Sequence, residues 1–147
     1  IMKKYLLLLL PAFSFAQQNT TTLTVNISEI YSLVVDANAV INLDTKESFI
    51  DGARSNDTNL NVFATNGYKV TAVNNTEMLK DVQMVLEDSG EIFRGFLEQN
   101  SFEIYQSNIG TLSKDLKVVY ELNDTENYLN RDSDQIQTTI TFTITAL

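Results

Sequence analysis

The sequence predicts an all-β protein, an antiparallel β-sandwich that follows an N-terminal export signal. Two observations carry the β assignment. Apolar and polar residues alternate with period two along several stretches, and no stretch holds a helical period for long. Asn, Asp, Ser and Gly clusters punctuate those stretches at short intervals, while Gly and Pro number only five and one.

The export signal comes first in the chain. Lys3 and Lys4 supply a positive start, residues 6–10 with Ala12 and Phe13 an apolar run, and Ser14, Phe15 and Ala16 a small-residue cleavage site. The run is well short of the roughly 20 residues that cross a bilayer, so residues 1–16 are expected to be a signal peptide and not an anchor. The chain has no cysteine to carry a lipid. Cleavage after Ala16 leaves 147 − 16 = 131 residues, expected as one domain over residues 17–147. The mature chain is then expected outside the cell or on its surface, reached through the periplasm, with no membrane span.

Strands are predicted in order along the remainder. Leu23, Val25 and Ile27 alternate with Thr22, Thr24, Asn26 and Ser28, which predicts a first strand over residues 20–28. Apolar runs at residues 31–35 and 40–43 follow, and Phe49-Ile50 runs into Asp51-Gly52. Residues 60–65 and 68–73 flank Asn66-Gly67, a strong hairpin signal that would set Phe63 opposite Val70 and Thr65 opposite Tyr68. Residues 77–81 could hold a single helical turn. Val82, Met84 and Leu86 alternate until Asp88-Ser89-Gly90 turns the chain, and residues 92–97 and 102–105 are two further apolar segments. Leu116, Val118, Tyr120 and Leu122 then face one side, with Lys117, Val119 and Glu121 on the other. On the last strand Ile136, Ile140, Phe142 and Ile144 oppose Thr139, Thr141, Thr143 and Thr145. Many short strands with turns between them predict a sandwich, immunoglobulin-like in layout.

Composition narrows the function. Ten basic against 19 acidic residues become eight against 19 once Lys3 and Lys4 are removed, so the mature net charge is 8 − 19 = −11. Such a chain lacks the basic clusters that nucleic acid or an anionic membrane requires. With no cysteine the domain must be held by its core alone. Having no histidine either, it lacks Ser-His-Asp and Cys-His catalysis and the usual zinc ligands. No enzyme activity is expected: Glu98 and Glu103 could form a glycosidase pair only if the fold made them converge. There is no tryptophan to stack on a sugar.

The best candidates for a metal site are Asp124, Glu126, Asp132 and Asp134, interleaved with Asn127 and Asn130. Calcium takes six to eight oxygen ligands, which carboxylates and amide carbonyls on a turning loop can supply. Their spacing matches no established loop motif, and charged loops between strands are ordinarily solvated. The threonine row of the last strand reads as the solvent side of an amphipathic strand. Asn-x-Ser/Thr sequons occur at Asn19, Asn26, Asn56, Asn74 and Asn123, as an Asn/Thr-rich chain produces by chance.

In arrangement the chain resembles subunits of bacterial fimbriae assembled by a chaperone and usher, and related secreted immunoglobulin-like surface proteins. The resemblance rests on the early alternating strand of residues 20–28, on the central pair of stretches at residues 60–72, and on Tyr128 followed by a polar turn and residues 136–147. It implies a structural or adhesive surface subunit that self-associates or joins another subunit by strand exchange, with a periplasmic chaperone as a further partner. By resemblance, Leu23, Val25 and Ile27 would be the inserted side chains, since added strands bind through main-chain bonds and alternate side chains. The N-terminal strand could equally pair within its own domain. The competing expectation is a monomeric secreted adhesin or a carbohydrate- or calcium-binding β-sandwich module, using residues 54–59 and 124–134.

Overall fold

Two antiparallel sheets face each other in the computed structural model, which describes residues 20–147. The expected signal peptide lies outside the described residues. The larger sheet runs in the order β1 (Tyr31–Val35), β3 (Thr58–Ala64), β8 (Thr111–Leu122), β5 (Gln83–Glu87) and β6 (Glu91–Phe96). The two-residue β2 (Ala53–Arg54) also pairs with β8, through Ala53 with Leu122 and Arg54 with Glu121. The smaller sheet has β4 (Tyr68–Asn74) between β7 (Phe102–Ser107) and β9 (Ile140–Ala146). The expected all-β sandwich is therefore the observed architecture.

Period-two alternation sets which residues meet in the middle. Leu60, Val62 and Ala64 of β3, with Leu116, Val118, Tyr120 and Leu122 of β8 and Met84 and Leu86 of β5, point inward from the larger sheet. Tyr68, Val70, Ala72 and Ile104 meet them from the smaller one. Burying an aliphatic or aromatic side chain of this size contributes about 1.5–3 kcal/mol, so this layer is the main source of cohesion in a chain without disulfides.

The hairpin expected at Asn66-Gly67 is not formed. A type I′ turn needs φ > 0 at both central residues, and neither Asn66 nor Gly67 has it. Instead the Gly67 N–H donates to Asn66 Oδ1 at 3.0 Å, and the chain arches from one sheet to the other. Both edges of β3 are taken by β1 and β8, and both edges of β4 by β7 and β9. Phe63 thus pairs with Ser32 and Val70 with Tyr105 and Ile144. A local turn signal lost to two pairs of long-range ladders.

Gly110 closes this arch from the far side. A Cβ there would stand 2.5 Å from the Ala64 carbonyl oxygen and 2.7 Å from the Thr65 carbonyl carbon, both main-chain atoms. Gly110→Ala is expected to lower stability by about 1–3 kcal/mol, the usual cost of overpacking. A denaturant midpoint equal to that of the parent would contradict it.

Two local elements differ from expectation. Residues 46–51 form a helix, α1 (Lys46–Asp51), where the sequence pattern shows only the apolar pair Phe49-Ile50. Thr45 caps it: its hydroxyl accepts from the Ser48 N–H at 3.1 Å, while Ser48 Oγ accepts from the Thr45 N–H at 3.2 Å. Residues 40–43 are not a strand, though Ile41 and Leu43 still pack against the core. Asp88-Ser89-Gly90 does turn the chain between β5 and β6, with Ser89 at φ 56°. No helix among the described residues is long and apolar enough to cross a membrane.

The outer face of the larger sheet carries a ladder of alternating charge. Arg54 pairs with Glu87 at 2.8 Å and Glu121 at 3.3 Å, Arg94 with Glu121 at 2.5 Å and Glu91 at 2.8 Å, and Lys117 with Glu87 at 2.6 Å. Between these rows lie Val85 and Val119, paired across the strands and buried although they face away from the core. The stems of long charged side chains cover apolar surface in this manner. Hydrogen bonds from Lys117 and then Arg54 hold the Glu87 carboxyl below the usual range.

Buried tyrosines make the fold sensitive to alkali. Burial pushes Tyr68 up to about 12 and raises Tyr120 as well. Tyr128 is raised by burial and then by its hydrogen bond to Asp81 at 2.8 Å. An ordinary tyrosine titrates near 10 in the unfolded chain, so the stability linked to a raised pKa is complete below about pH 10 and is lost as pH rises toward the folded values. Thermal midpoints are expected to hold up to about pH 10 and to fall steeply above it. Midpoints flat to pH 12 would show the rings to be accessible.

Candidate functional site

Residues 20–29 belong to no strand. The period-two pattern of Leu23, Val25 and Ile27 is present, but the ladder expected of it is not. These three side chains are 87%, 73% and 89% exposed. The described chain first hydrogen-bonds to the sheets at Ile30, whose N–H donates to Thr65 Oγ1 at 2.8 Å and whose carbonyl accepts from the Thr65 N–H at 3.0 Å. Pairing within its own domain, one of the two expectations for this segment, is therefore not what the fold does. An isolated apolar side chain on a surface is unremarkable, whereas here three alternate along one unpaired segment.

The sandwich has two seams, and they are unlike. On one side β6 and β7 are the edges, and Phe93 of β6 stacks on Phe102 of β7 with ring centroids 5.9 Å apart. A Cβ on Gly95 would stand 2.8 Å from the Phe93 ring, so that ring lies over the glycine and fills the seam. On the other side the edges are β1 and β9, each with one ladder only, to β3 and β4 respectively. Their Cα atoms come within 8 Å, yet no ladder joins them. Tyr31 and Leu33 of β1 and Ile140, Phe142 and Ile144 of β9 point into this seam and are only half-buried. At its end a shallow cleft of about 240 Å³ is lined by Glu29, Tyr31, Asn66, Gly67, Asn108, Ala146 and Leu147.

The expected metal loop does not assemble. Asp124 Oδ1 accepts from the Glu126 N–H at 3.2 Å, just ahead of a 3-10 turn at Glu126–Tyr128, and Asp134 pairs with Arg131 at 2.8 Å. Asp132 and Glu126 are exposed. Among the described residues no group of three or more acidic, histidine or cysteine side chains could hold a metal ion. The carboxylates are spread along a solvated turn, Asp124 and Asp134 on local partners and Glu126 and Asp132 in water. Glu98, within the connection between β6 and β7, and Glu103, on β7, are likewise exposed.

A second cleft, about 330 Å³, lies on the outer face among Val34, Asp36, Asn59, Asn61 and Asp115. Its polar atoms are already engaged. Asn59 donates to Asp36 at 2.8 Å from both its side chain and its main chain, which holds that carboxyl below its usual range, and Asn61 donates to Asp115 at 2.6 Å.

Two of the sequons have structural work. Asn74 is 1% exposed and its amide nitrogen donates to the Met78 carbonyl at 2.9 Å. The amide nitrogen of Asn56 donates to the Asn38 carbonyl at 2.9 Å. Attachment of a glycan at Asn74 would require that corner of the fold to open.

No protein-family model matches the chain, and no curated protein or solved structure matches it either.

Proposed function

We propose that this chain is a non-enzymatic structural or adhesive surface subunit of the fimbrial kind, exported from the cell, which assembles by giving its N-terminal segment to a neighbouring copy. One observation carries the reading: Leu23, Val25 and Ile27 alternate as a strand does, yet the folded domain leaves them in water. The cost of that exposure, about 0.8 kcal/mol per exposed methylene, is relieved when the segment enters another sandwich. The seam between β1 and β9 suits it, because it offers free main-chain groups on both edges and three half-buried apolar side chains on β9, Ile140, Phe142 and Ile144. Three inward residues of the donor span the same length as three of the acceptor, since both repeat every second residue. Entry requires β1 and β9 to part by about one strand spacing, ~4.8 Å, which makes exchange slow and the product long-lived.

The reading is tested on the mature chain by denaturing electrophoresis without boiling. Ladders that resist the detergent and collapse on heating are expected, and deletion of residues 20–28 is expected to remove them. A mature chain that stays strictly monomeric at high concentration and melts as one stable unit would defeat the polymer reading.

A further inference from the structure

Strand exchange, if it occurs as proposed above, constrains how two bodies meet, because the connection between the donated segment and its own domain is very short. Main-chain hydrogen bonds to Thr65 tie Ile30 to the sheets. Ile27 is the last of the three alternating side chains. Only Ser28 and Glu29 intervene, so three Cα steps separate Ile27 from Ile30, at most about 11 Å. The domain that receives Ile27 is thereby drawn against the end of the donor that holds Ile30.

That end is apolar at its surface. Gly110 packs on Thr65, and Ile109 just before it and Leu112 two residues after it are 74% and 87% exposed. Leu147, whose N–H donates to the Gly67 carbonyl at 3.2 Å, adds a third exposed side chain at 57%. The opposite end of the sandwich holds residues 36–52 and 123–139, and there Val40, Ile50 and Leu129 are 56%, 66% and 52% exposed.

We propose that Ile109 and Leu112 dock end-on against a second copy of this chain, at the end of its sandwich that carries Val40 and Ile50; this rests on the strand-exchange reading. The direction follows from β9, the longer of the two free edges, with seven residues against five in β1. Antiparallel ladders are slightly more stable per residue than parallel ones, so the incoming strand runs opposite to β9. Ser28 then emerges where β9 begins, at the end away from the acceptor's own Ile30. Donor tip meets acceptor base, a heterologous contact that repeats without closing on itself.

The test uses the full mature chain carrying Ile109→Asp and Leu112→Asp, beside the parent. A second background, with Leu23, Val25 and Ile27 all changed to Asp, cannot donate and reports uptake of a synthetic peptide of residues 20–28. The tip variant, placed in that background, is expected to take up the peptide as well as its control, since uptake uses the seam alone. In the full chain it is expected to give short oligomers that dissociate about tenfold faster than those of the parent. Parent-like polymers from the tip variant, with peptide uptake intact, would overturn the end-on contact and leave strand exchange standing. Closed dimers from the parent, joined tip to tip, would overturn it through the strand direction. Failure of every background to take up the peptide would remove the strand-exchange reading and this contact together.

Discussion

Changing Leu23, Val25 and Ile27 together to aspartate is expected to abolish assembly while leaving the thermal stability of the single chain within about 0.5 kcal/mol of the parent, the range of exposed surface substitutions. The two halves of this expectation have different causes. Within the domain the three side chains lie 87%, 73% and 89% in water, so nothing is lost when they become polar. Inside a neighbour's seam each would contribute about 1.5–3 kcal/mol by burial, and the three together about 5–9 kcal/mol. Aspartates would forfeit that and add the penalty of desolvating charge. The association constant should therefore fall by at least about a thousandfold. Sedimentation of the mature chain reads the first effect and calorimetry the second. A melting temperature several degrees lower, with assembly unchanged, would place the segment inside its own domain and reverse the reading.

Asn74→Leu is the substitution expected to cost the fold most for its size. Asn74 sits at the end of β4, where the chain leaves for residues 75–81 and where the approach to β9 passes close by. Its amide nitrogen holds the Met78 carbonyl at 2.9 Å, and its Oδ1 accepts from the Thr138 hydroxyl at 2.5 Å. Thr76 and Thr138 bond each other at 2.8 Å beside it, and Asn75 reaches Thr139 and Thr141 at 3.0 and 2.9 Å. Leucine has the same branching but more bulk and no polar atoms, so it removes the donor to the Met78 carbonyl and leaves the Thr138 hydroxyl with Thr76 alone. Two lost hydrogen bonds at about 1 kcal/mol each, with the added bulk at a site that is 1% exposed, suggest a loss of about 2–4 kcal/mol. For a chain of this size that is a fall of roughly 6–15 °C in melting temperature. A shift under about 2 °C would mean that water replaces the amide at no cost.

Much of the fold was legible because alternation and burial agree. Residues 82–86 and 116–122 were expected as strands with the inward sets that the core contains, and residues 88–90 as the turn that joins β5 to β6; the last strand was expected from Ile136, but it forms only from Ile140, and Ile136 stays outside the core. Val119 is instructive: its place on the outward side was correct, but its burial beneath ionic side chains came from neighbours on β2, β5 and β6. The helix at Lys46–Asp51 carries no strong signal in the sequence, because its capping box uses Ser48 in place of the acidic or amide residue that usually marks one. The acidic residues 124, 126, 132 and 134 looked like ligands on composition, yet only geometry could say whether they converge, and they do not.

By itself the sequence determined the class of the domain, because the side-chain period of a strand is a local property that every residue reports. It also determined that an alternating apolar stretch stands at residues 20–28, ahead of the first paired strand. The tertiary structure alone decided the partners. Asn66-Gly67 became an arch and not a hairpin because both edges of β3 and of β4 were already taken by strands far away in the chain. Leu23, Val25 and Ile27 have no ladder of their own although β1 and β9 each keep one edge free: a strand needs a partner as well as a pattern, and which edges a segment meets is known only once the whole chain has folded.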